Sequence, residues 1–421
     1  MKTFQEMDLP EVLLQTLQHM QFNEPTPIQM EAIPLALQGK DILGSAQTGT
    51  GKTGAFAIPL IVKVLSNPNS SALVMTPTRE LATQVMNQLR AMLGRKSKIG
   101  SVLLIGGEPM PKQLKQLRNH HPQVIVGTPG RINDHLKRRS LVLNRTDFLV
   151  LDETDRMLDM GFTEQVENVI SHMASERQTL LFSATLPKNI IRIAEKYLRE
   201  PVQVAVSPVS SPAANIKQDI VRVTEAEKYP YLLSQIDERQ GSIIVFVKTK
   251  YNTEKMAKRL FKEGYEADAI HGDLRQNKRD RVIADFRKKK YRILVATDVA
   301  ARGLDIPHIE HVINYDLPQC AEDYIHRIGR TARAGAEGCA LNLVTPADKR
   351  KWDAIDRLLN PNAKRPKVDG DNKNRRFKTK QKGNGAPTPT SYKYKNTTRN
   401  GSKHSGTKYS GTKGNNSKRA A

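Results

Sequence analysis

Short apolar runs between turn residues recur along most of the chain, and longer stretches with the spacing of an amphipathic helix separate them. Runs of this length between turn signals are typical of strands that are buried on both faces. Their alternation with helical stretches predicts an α/β fold built on open parallel sheets. The first predicted strands cover residues 41–46, 72–76, 102–105, 124–127, 148–151 and 179–182.

The pattern breaks at residues 207–215, where Pro208, Pro212 and several serines interrupt the alternation. Clusters of proline and serine between periodic segments are typical of linkers. We therefore expect two similar α/β domains in tandem, residues 1–206 and 216–360, joined by a linker over 207–215. The strand pattern of the second domain covers residues 242–247, 267–270, 292–296, 311–314 and 340–344.

A third region, residues 361–421, has neither pattern and holds most of the positive charge. The formal net charge of the 421-residue chain is +24, and this segment alone has 17 Lys and Arg against 2 Asp and Glu. Its few apolar residues cannot offset the entropy cost of ordering, which predicts disorder. Lysines interspersed with Phe377, Tyr392, Tyr394 and Tyr409 favour RNA binding through phosphates and stacked bases. A merely solubilising charged tail is the alternative.

Cysteine usage and hydropathy narrow the class of protein. Cys320 and Cys339 are the only cysteines in the sequence, too few for a disulfide framework. No apolar run reaches the roughly 18 residues that a membrane-spanning helix needs, and residues 1–8 lack a signal-like apolar segment. With 38% hydrophobic residues, the chain can bury two cores. These features predict a reduced, soluble, cytoplasmic protein without membrane contact.

The stretch Ala46-Gln-Thr-Gly-Thr-Gly-Lys-Thr53 follows the first predicted strand and precedes a helical stretch. Glycines let the backbone turn its N–H groups toward phosphate oxygens, while a lysine neutralises the phosphates and a hydroxyl binds magnesium. A small Ala46 stands where the generic pattern has its first glycine, and a chance glycine turn is the alternative. The residues expected to bind a nucleoside triphosphate here are Ala46, Thr48, Gly49, Thr50, Gly51, Lys52 and Thr53.

The stretch Phe148-Leu-Val-Leu-Asp-Glu-Thr-Asp155 runs from a buried strand directly into three carboxylates. Acidic side chains at the carboxyl end of such a strand suit a magnesium ion in the ligand crevice of a parallel sheet. We expect Asp152 to bind Mg²⁺ together with Thr53, and Glu153 to orient or deprotonate the attacking water. Acidic capping of a helix start is the alternative.

With both stretches in this order, the chain resembles the DEAD-box ATP-dependent RNA helicases of superfamily 2 over residues 4 to about 344. The resemblance implies two tandem RecA-like parallel-sheet domains with a disordered basic C-terminal tail. A compact core without a long N-terminal extension is typical of the bacterial type. The sequence departs from the family at Thr154, where the family's name calls for alanine, and at Ala332, where glycine is usual.

The resemblance also assigns an adenine-reading element to the stretch Phe22-Asn-Glu-Pro-Thr-Pro-Ile-Gln29. It implies that Gln29 hydrogen-bonds adenine, that Phe22 stacks on the base and that Phe4 supports the stack. A carboxamide can pair bidentately with N6 and N7 of adenine, which gives this assignment a physical basis. A turn marked by Pro25 and Pro27 before a helix is the alternative.

In the first domain, Ser183 and Thr185 resemble the family's coupling motif, which connects the ATP site to the RNA surface through Asp155. Without the resemblance they would be an ordinary polar turn. Arginine charge, hydroxyl donors and glycines that allow close backbone approach suit RNA phosphates, although helix capping is the competing role for the threonines. The resemblance implies RNA contacts by Thr78, Arg79, Gly106, Gly107, Thr128 and Arg131.

In the second domain, the stretch His326-Arg-Ile-Gly-Arg-Thr-Ala-Arg333 places three arginines at a spacing of three, which on a helix would share one face. The resemblance makes Arg330 and Arg333 arginine fingers for the γ-phosphate and gives His326 a coupling role; a solvated basic helix is the alternative. It further implies that Asp298 orders Arg302 and that Asp305 contacts the ribose. The implied RNA contacts are Thr249, Gly272, Arg279 and Thr297.

Together these features predict an ATP- and Mg²⁺-dependent RNA helicase whose two domains close around single-stranded RNA and separate short duplexes. Partners would be RNA with little sequence specificity and, in ribosome assembly or RNA decay, ribonucleoprotein or pre-ribosomal particles. We expect a monomer. An ATP-gated RNA clamp that does not unwind, and a DNA translocase built on the same paired domains, are the alternatives.

Overall fold

The computed structural model describes residues 3–46, 49–94, 97–120, 122–205, 216–301, 309–332 and 337–360. Two parallel β-sheets lie in this part of the chain, each between helices, and both belong to one compact unit. The predicted linker at 207–215 and the predicted tail at 361–421 lie outside the described residues, so both remain predictions. None of the described helices combines the length and the apolar character that crossing a membrane requires.

The first sheet has seven strands. They are β1 (Ile42–Ser45), β2 (Ser71–Met75), β3 (Ser101–Leu104), β4 (Val124–Gly127), β5 (Thr146–Leu151), β6 (Gln178–Ser183) and β7 (Val202–Ala205). Their spatial order is β3-β4-β2-β5-β6-β1-β7, with parallel pairing throughout. The helices are α1 (Glu11–His19), α2 (Pro27–Leu37), α3 (Lys52–Ser66), α4 (Arg79–Leu93), α5 (Met110–His120), α6 (Pro129–Lys137), α7 (Thr154–Asp159), α8 (Thr163–Ser171) and α9 (Lys188–Tyr197).

The second sheet has six strands. They are β8 (Ile216–Arg222), β9 (Ser242–Phe246), β10 (Ala267–Ile270), β11 (Ile293–Ala296), β12 (Ile309–Asn314) and β13 (Gly338–Val344). Their order is β10-β11-β9-β12-β13-β8, again all parallel. The helices are α10 (Lys228–Glu238), α11 (Lys250–Lys262), α12 (Gln276–Arg287), α13 (Asp298–Ala301), α14 (Ala321–Ile328) and α15 (Lys349–Leu359).

Two strands, β7 and β8, are absent from the predicted set. Each lies at one edge of its sheet, where β7 pairs with β1 and β8 pairs with β13. Both have solvent on part of their surface: Gln203 and Ala205 are exposed in β7, as is Lys217 in β8. An edge strand does not need the continuous apolar run of a central strand, so a search for such runs overlooks it.

Alternating side chains of the central strands build a separate core on each face of the first sheet. Phe148 and Val150 pack with Phe56 on one face, whereas Leu149 and Leu151 belong to the core on the other face. This division follows from the two-residue period of a strand. A strand that is apolar at every position must therefore lie between two layers of helices.

The strand order decides which loops meet. Because β5, β6 and β1 are neighbours, the segments that follow their carboxyl ends are brought to one edge of the sheet. These segments are the predicted phosphate loop after β1, the three carboxylates after β5 and the Ser183–Thr185 segment at the end of β6. In open parallel sheets, ligands bind at this edge.

Candidate functional site

The loop between β1 and α3 has the backbone of a phosphate-binding turn. Gly49 and Gly51 have φ angles of 91° and 94°, in the left-handed region that glycine adopts without strain. A Cβ at Gly51 would lie 2.6 Å from Thr26 Oγ1 and 2.7 Å from Gln29 Nε2, so this position also requires glycine for space. Thr48 lies outside the described residues, whereas Ala46 is buried and its N–H donates to Ser183 O at 3.1 Å.

Lys52 is the first residue of α3 and only 7% exposed. Its Nζ has no hydrogen-bond partner among the described residues. A buried ammonium without a partner is costly, and the helix start beside it offers further N–H groups and a positive dipole end. Thr53 follows half-buried in the first turn. This arrangement suits an anion, and the phosphates of a nucleotide fit its chemistry.

The Gln29 carboxamide connects the predicted adenine-reading segment to the phosphate loop. Its Oε1 accepts from Thr26 N at 3.0 Å, and its Nε2 donates to Gly51 O at 2.9 Å. One amide proton and one oxygen lone pair remain for a base. Phe22 is half-buried, and its ring centroid lies 6.4 Å from that of Phe4, which is buried. The three predicted adenine-site residues therefore lie together beside this loop.

The carboxylates of Asp152, Glu153 and Asp155 are all buried at the end of β5. Glu153 adopts a left-handed φ of 51° as it begins α7, a backbone state that costs energy in a residue other than glycine. Burial raises the pKa of Asp152 to about 7; the nearby Lys52 ammonium opposes the rise and Glu153 adds to it. Clustered oxygen donors whose charge is poorly solvated fit a hard divalent cation such as Mg²⁺.

Asp155 binds the segment at the end of β6. Its Oδ2 accepts from the backbone N–H groups of Ala184 at 3.1 Å and Thr185 at 3.2 Å, and from Thr185 Oγ1 at 3.2 Å. Ser183 Oγ donates to Thr185 O at 2.6 Å within the same segment. His326 Nε2, from the second domain, lies 3.9 Å from Asp155 Oδ2. Four of the predicted coupling residues are thus in one place.

The second domain contributes a buried arginine that the sequence analysis gave no role. Arg327 Nη2 donates to Asp298 Oδ2 at 2.8 Å, and its Nη1 donates to Asn314 Oδ1 at 2.9 Å. Asp298 was expected to order Arg302, which lies outside the described residues. Arg327 is the first arginine of the spaced set, so the motif held a signal for it. A charged side chain buried with two such partners is a rigid support for the turn that follows.

The prediction that the three arginines share one helix face is wrong. Helix α14 ends at Ile328, with Gly329 at its C-terminal boundary, so Arg330 lies in the turn beyond the helix. Arg330 is buried, and its Nε donates to His326 O at 3.0 Å. Ala332 has a φ of 56°, which explains why glycine is the usual residue there. Arg333 and Asp305 lie outside the described residues.

Most of the predicted RNA contacts line one cleft between the domains. Thr78 is nevertheless a helix cap, because its Oγ1 accepts from Leu81 N at 3.3 Å, and Thr249 caps α11 in the same way with Asn252 N at 3.2 Å. Thr249 and Thr297 do not line this cleft, and Gly107 adjoins it, since a Cβ there would be 2.6 Å from Arg79 Nη1. The predicted residues that line the cleft are Thr78, Arg79, Gly106, Thr128, Arg131, Gly272 and Arg279.

Glu80 and Gln276 lie in the stretches 77–81 and 276–279, both of which were matched to RNA contacts, and they join the two domains at this cleft. Arg79 Nη1 donates to Gln276 Oε1 at 3.3 Å, and Gln276 Nε2 donates to Glu80 Oε1 at 3.1 Å. Arg279 Nη2 lies 2.9 Å from the same Glu80 oxygen. Burial, and then the charge of Arg279, lower the pKa of Arg79. With Arg131, three arginines line the cleft against two acids, Glu80 and Asp134, which leaves the cleft net positive and suited to phosphates.

Comparison with known proteins identifies a family that matches each domain. The DEAD/DEAH box helicase family matches residues 26–193, and the helicase conserved C-terminal domain matches residues 225–335. DEAD-box ATP-dependent RNA helicase CshA of Geobacillus kaustophilus is 46% identical over 87% of this chain and 79% of its own length. CshA of Bacillus subtilis is 44% identical over 87% and 74% of the two chains.

Solved structures extend the likeness to the fold. S. cerevisiae Dbp5 bound to RNA and ADP BeF3 matches with a TM-score of 0.78 and 34% identity, over 85% of this chain and 94% of its own. Mss116p bound to ssRNA and AMP-PNP matches with a TM-score of 0.78 and 29% identity, over 85% and 77%. The predicted pair of RecA-like domains is confirmed. The chain therefore belongs to the DEAD-box ATP-dependent RNA helicases, a family that hydrolyses ATP.

Proposed function

We propose that this chain is an RNA-dependent ATPase that closes its two domains around single-stranded RNA and thereby separates short RNA duplexes or remodels ribonucleoprotein. The observation that carries the proposal is the position of Asp155. Its carboxylate binds Ala184 and Thr185 in the first domain and faces His326 of the second. The ATP site and the contact between domains therefore share one side chain.

At the ATP site, Lys52 neutralises phosphate charge while the glycines of the loop present N–H groups. Thr53 and Asp152 would hold Mg²⁺, which would offset the negative charge that develops during phosphoryl transfer. Glu153 orients the attacking water and accepts its proton. Arg330 and Arg333 supply positive charge from the second domain, so hydrolysis requires closure.

Nucleotide identity is read by Gln29. Because this side chain also bonds to Gly51 O, a base that draws on its free proton and lone pair acts on the phosphate loop as well. Phe22 stacks on the base and Phe4 supports it. Asp305 contacts the ribose in this scheme.

In the RNA cleft, the arginines and hydroxyls contact backbone phosphates, and the glycines permit close approach. Such contacts read little sequence and, together with 2′-hydroxyl contacts, favour RNA over DNA. Because ATP and RNA both favour the closed state, each raises the affinity of the other by the same factor. Hydrolysis reopens the domains and releases the strand.

The test is an ATPase and duplex-separation assay with RNA and DNA duplexes, in the presence and absence of ATP. We expect ATP-dependent separation of RNA that is lost in Lys52→Ala and Glu153→Gln. RNA separation that persists in both variants would reject the mechanism. Retention of RNA without separation would identify a clamp, and separation confined to DNA would identify a DNA translocase.

We propose further that the protein works as a cytoplasmic monomer on cellular ribonucleoprotein, in ribosome assembly or RNA decay. The support is the family membership together with the positive cleft and the basic tail, whose charge suits RNA binding without sequence selection. Light scattering at assay concentrations tests the monomer. Sequencing of RNAs cross-linked to the protein in cells tests the pathway, because enrichment of ribosomal precursors or of decaying messages separates the two.

A further inference from the structure

Two helices that border the ATP site are joined across the domains by an ion pair. Arg156, in α7 of the first domain, donates through Nη1 to Asp323 Oδ1 in α14 of the second domain. Only 1% of the arginine side chain and 8% of the aspartate side chain are exposed. The pair therefore forms in the contact between domains and is largely shielded from water.

Each member of the pair is also held on its own helix. Arg156 Nη1 lies 3.9 Å from Asp159 Oδ2, one turn further along α7, and Asp159 is 43% exposed. Cys320 Sγ donates to the second oxygen of Asp323 at 3.2 Å at the start of α14. Each charged group thus has a contact on its own side of the domain boundary in addition to the contact across it.

The energetics of such a pair penalise misalignment more than they reward contact. Removing two charges from water costs about as much as their mutual attraction returns, so a well-aligned buried pair is nearly neutral. A closure that buries one charge without its partner has no such compensation and is strongly unfavourable. The pair therefore selects one arrangement of the two domains.

The domain arrangement that the ion pair selects also sets the relative positions of the catalytic groups. Arg156 lies three residues after Glu153, and Asp323 lies three residues before His326 and seven before Arg330. Both helices are short, and each leads directly into or out of the site. A shift of one helix against the other would move Arg330 relative to Glu153 by the same amount.

We propose that Arg156 and Asp323 are a positioning pair, which aligns the arginine-bearing turn of the second domain with the acidic turn of the first as the domains close. This inference rests on the proposed function, in which closure precedes hydrolysis. The pair touches no reacting atom. The pair raises the fraction of domain-closure events that reach the geometry active in hydrolysis.

The test is a charge-exchange cycle in an Asp159→Asn background, which removes the acid that would repel a new carboxylate at position 156. Arg156→Asp and Asp323→Arg are made singly and together. We expect Asp159→Asn to retain the RNA-stimulated ATPase of wild type. Each single exchange lowers the kcat of that ATPase at least about tenfold, and the double exchange restores most of it, because the buried pair is re-formed.

A second readout follows closure without hydrolysis. The affinity for a short fluorescein-labelled oligouridylate is measured with ADP and with ADP plus beryllium fluoride. We expect the gain in affinity from beryllium fluoride to shrink in each single exchange and to return in the double one. Thermal unfolding of every variant identifies any loss of activity that comes from misfolding. If each residue acted only within its own domain, the double exchange would not restore the activity lost in the single exchanges.

The two proposals fail in different ways. The positioning pair would be overturned if the single exchanges kept both the ATPase and the affinity gain. It would also be overturned if the single variants were folded but the double exchange did not restore their ATPase and affinity gain. The proposed function would be overturned if the wild-type protein showed no RNA-stimulated hydrolysis. The RNA affinities of the exchange variants would still test the positioning pair in that case.

Discussion

The hydroxyl of Thr154 lies between the ends of two neighbouring strands of the first sheet. This side chain is 1% exposed, and the single proton of its Oγ1 is shared between Leu151 O at 3.2 Å and Phe182 O at 3.3 Å. Alanine, the residue in the family's name, cannot make these bonds. The acidic turn after β5 and the coupling segment after β6 are therefore tied together by a threonine specific to this variant of the motif.

Thr154→Ala is expected to destabilise the protein by about 1 to 2 kcal/mol, because a buried hydrogen-bonding group and a methyl group are removed. We also expect the ratio of ATP hydrolysed to duplex separated to change, since the bonds connect the two segments that couple these activities. Urea unfolding and paired ATPase and unwinding assays measure both effects. Thr154→Val keeps the volume and removes the hydroxyl. Equal ratios in all three proteins would make the threonine a neutral replacement.

The raised pKa of Asp152 predicts how the stability of the ligand-free protein depends on pH. Its ordinary value is 3.8 and its folded value is about 7, so the folded state holds the proton more tightly than the unfolded state. Stability therefore falls as pH rises between these values, by up to about 4 kcal/mol in total for so buried a group. The full cost remains above the folded pKa.

Asp152→Asn should accordingly unfold at a higher temperature than wild type above the folded pKa, and at a similar temperature near the ordinary pKa of an aspartate. Thermal unfolding across this range, without nucleotide or magnesium, measures the difference. MgATP should reduce this difference in unfolding temperature, because a cation beside the Asp152 carboxylate lowers the pKa of that carboxylate again. A constant difference at all pH values would contradict the assignment.

Residue identity was most informative where chemistry demands one side chain. The sequence predicts a site formed by the glycines of the phosphate loop, Lys52 and the carboxylates after β5, because few residue types suit phosphate and cation binding. Ala332 shows the limit. Its left-handed φ is a property of the turn after α14, and an alanine in the sequence does not indicate that conformation.

At the scale of single elements, α5 supports the glycine pair of the RNA cleft. Gln113 is buried, and its Nε2 donates to Ile105 O at 3.0 Å and Glu108 O at 3.3 Å, on either side of the two glycines. Its Oε1 lies 3.2 Å from Nε2 of the buried His135 in α6. Burial lowers the pKa of His135, which favours a neutral ring that donates to this oxygen. The loop is thus held by a side chain that does not itself line the cleft.

Gln113→Ala should raise the RNA concentration needed for half-maximal ATPase about tenfold and leave kcat less affected, because it loosens a binding loop and leaves buried carbonyls without donors. Steady-state ATPase assays against RNA concentration separate the two parameters. Gln116→Ala, in the same helix and half-buried, is the matched control. An unchanged RNA requirement in Gln113→Ala would show that the loop keeps its shape without the amide.

Elements were predictable where burial imposes a pattern. Central strands such as β2 and β4 are mostly apolar, and their predicted ends lie within a residue of the observed ones. The edge strands β7 and β8 and the end of α14 at Gly329 were not, because half-solvated strands and a glycine stop leave weaker signals than a buried run. The register and the order of the strands bring the site residues together. These two features could be seen only in the folded structure.

At the scale of the whole molecule, the segment after Asn360 remains a prediction from charge. With 17 Lys and Arg against 2 Asp and Glu, it should add contacts to RNA phosphates beyond those of the cleft. A chain that ends at Asn360 should bind RNA more weakly and with a flatter dependence on salt. RNA affinity measured across salt concentrations tests this, with a tail of equal length in which the cations are replaced by glutamine as the control. Unchanged salt slopes in both would rule against the role.

Contacts between the domains could not be predicted from the sequence. Arg156 and Asp323, like Glu80 and Arg279, are far apart along the chain, and neither pair has a pattern that marks its members as partners. Their meeting depends on how two folded surfaces fit. Motifs reveal groups that act on a ligand, whereas groups that act on each other across domains become visible only in the assembled molecule.

The two edge strands also decide how the molecule bears mechanical load. In the sequence, residues 206–215 connect β7 of the first domain to β8 of the second, so a pull on that connection acts first on one outer strand of each sheet. Strand β7 has four residues paired with β1, and β8 has seven paired with β13. Under tension we expect β7 to detach first, lengthening the tether while both central sheets, and the sites at their edges, stay intact.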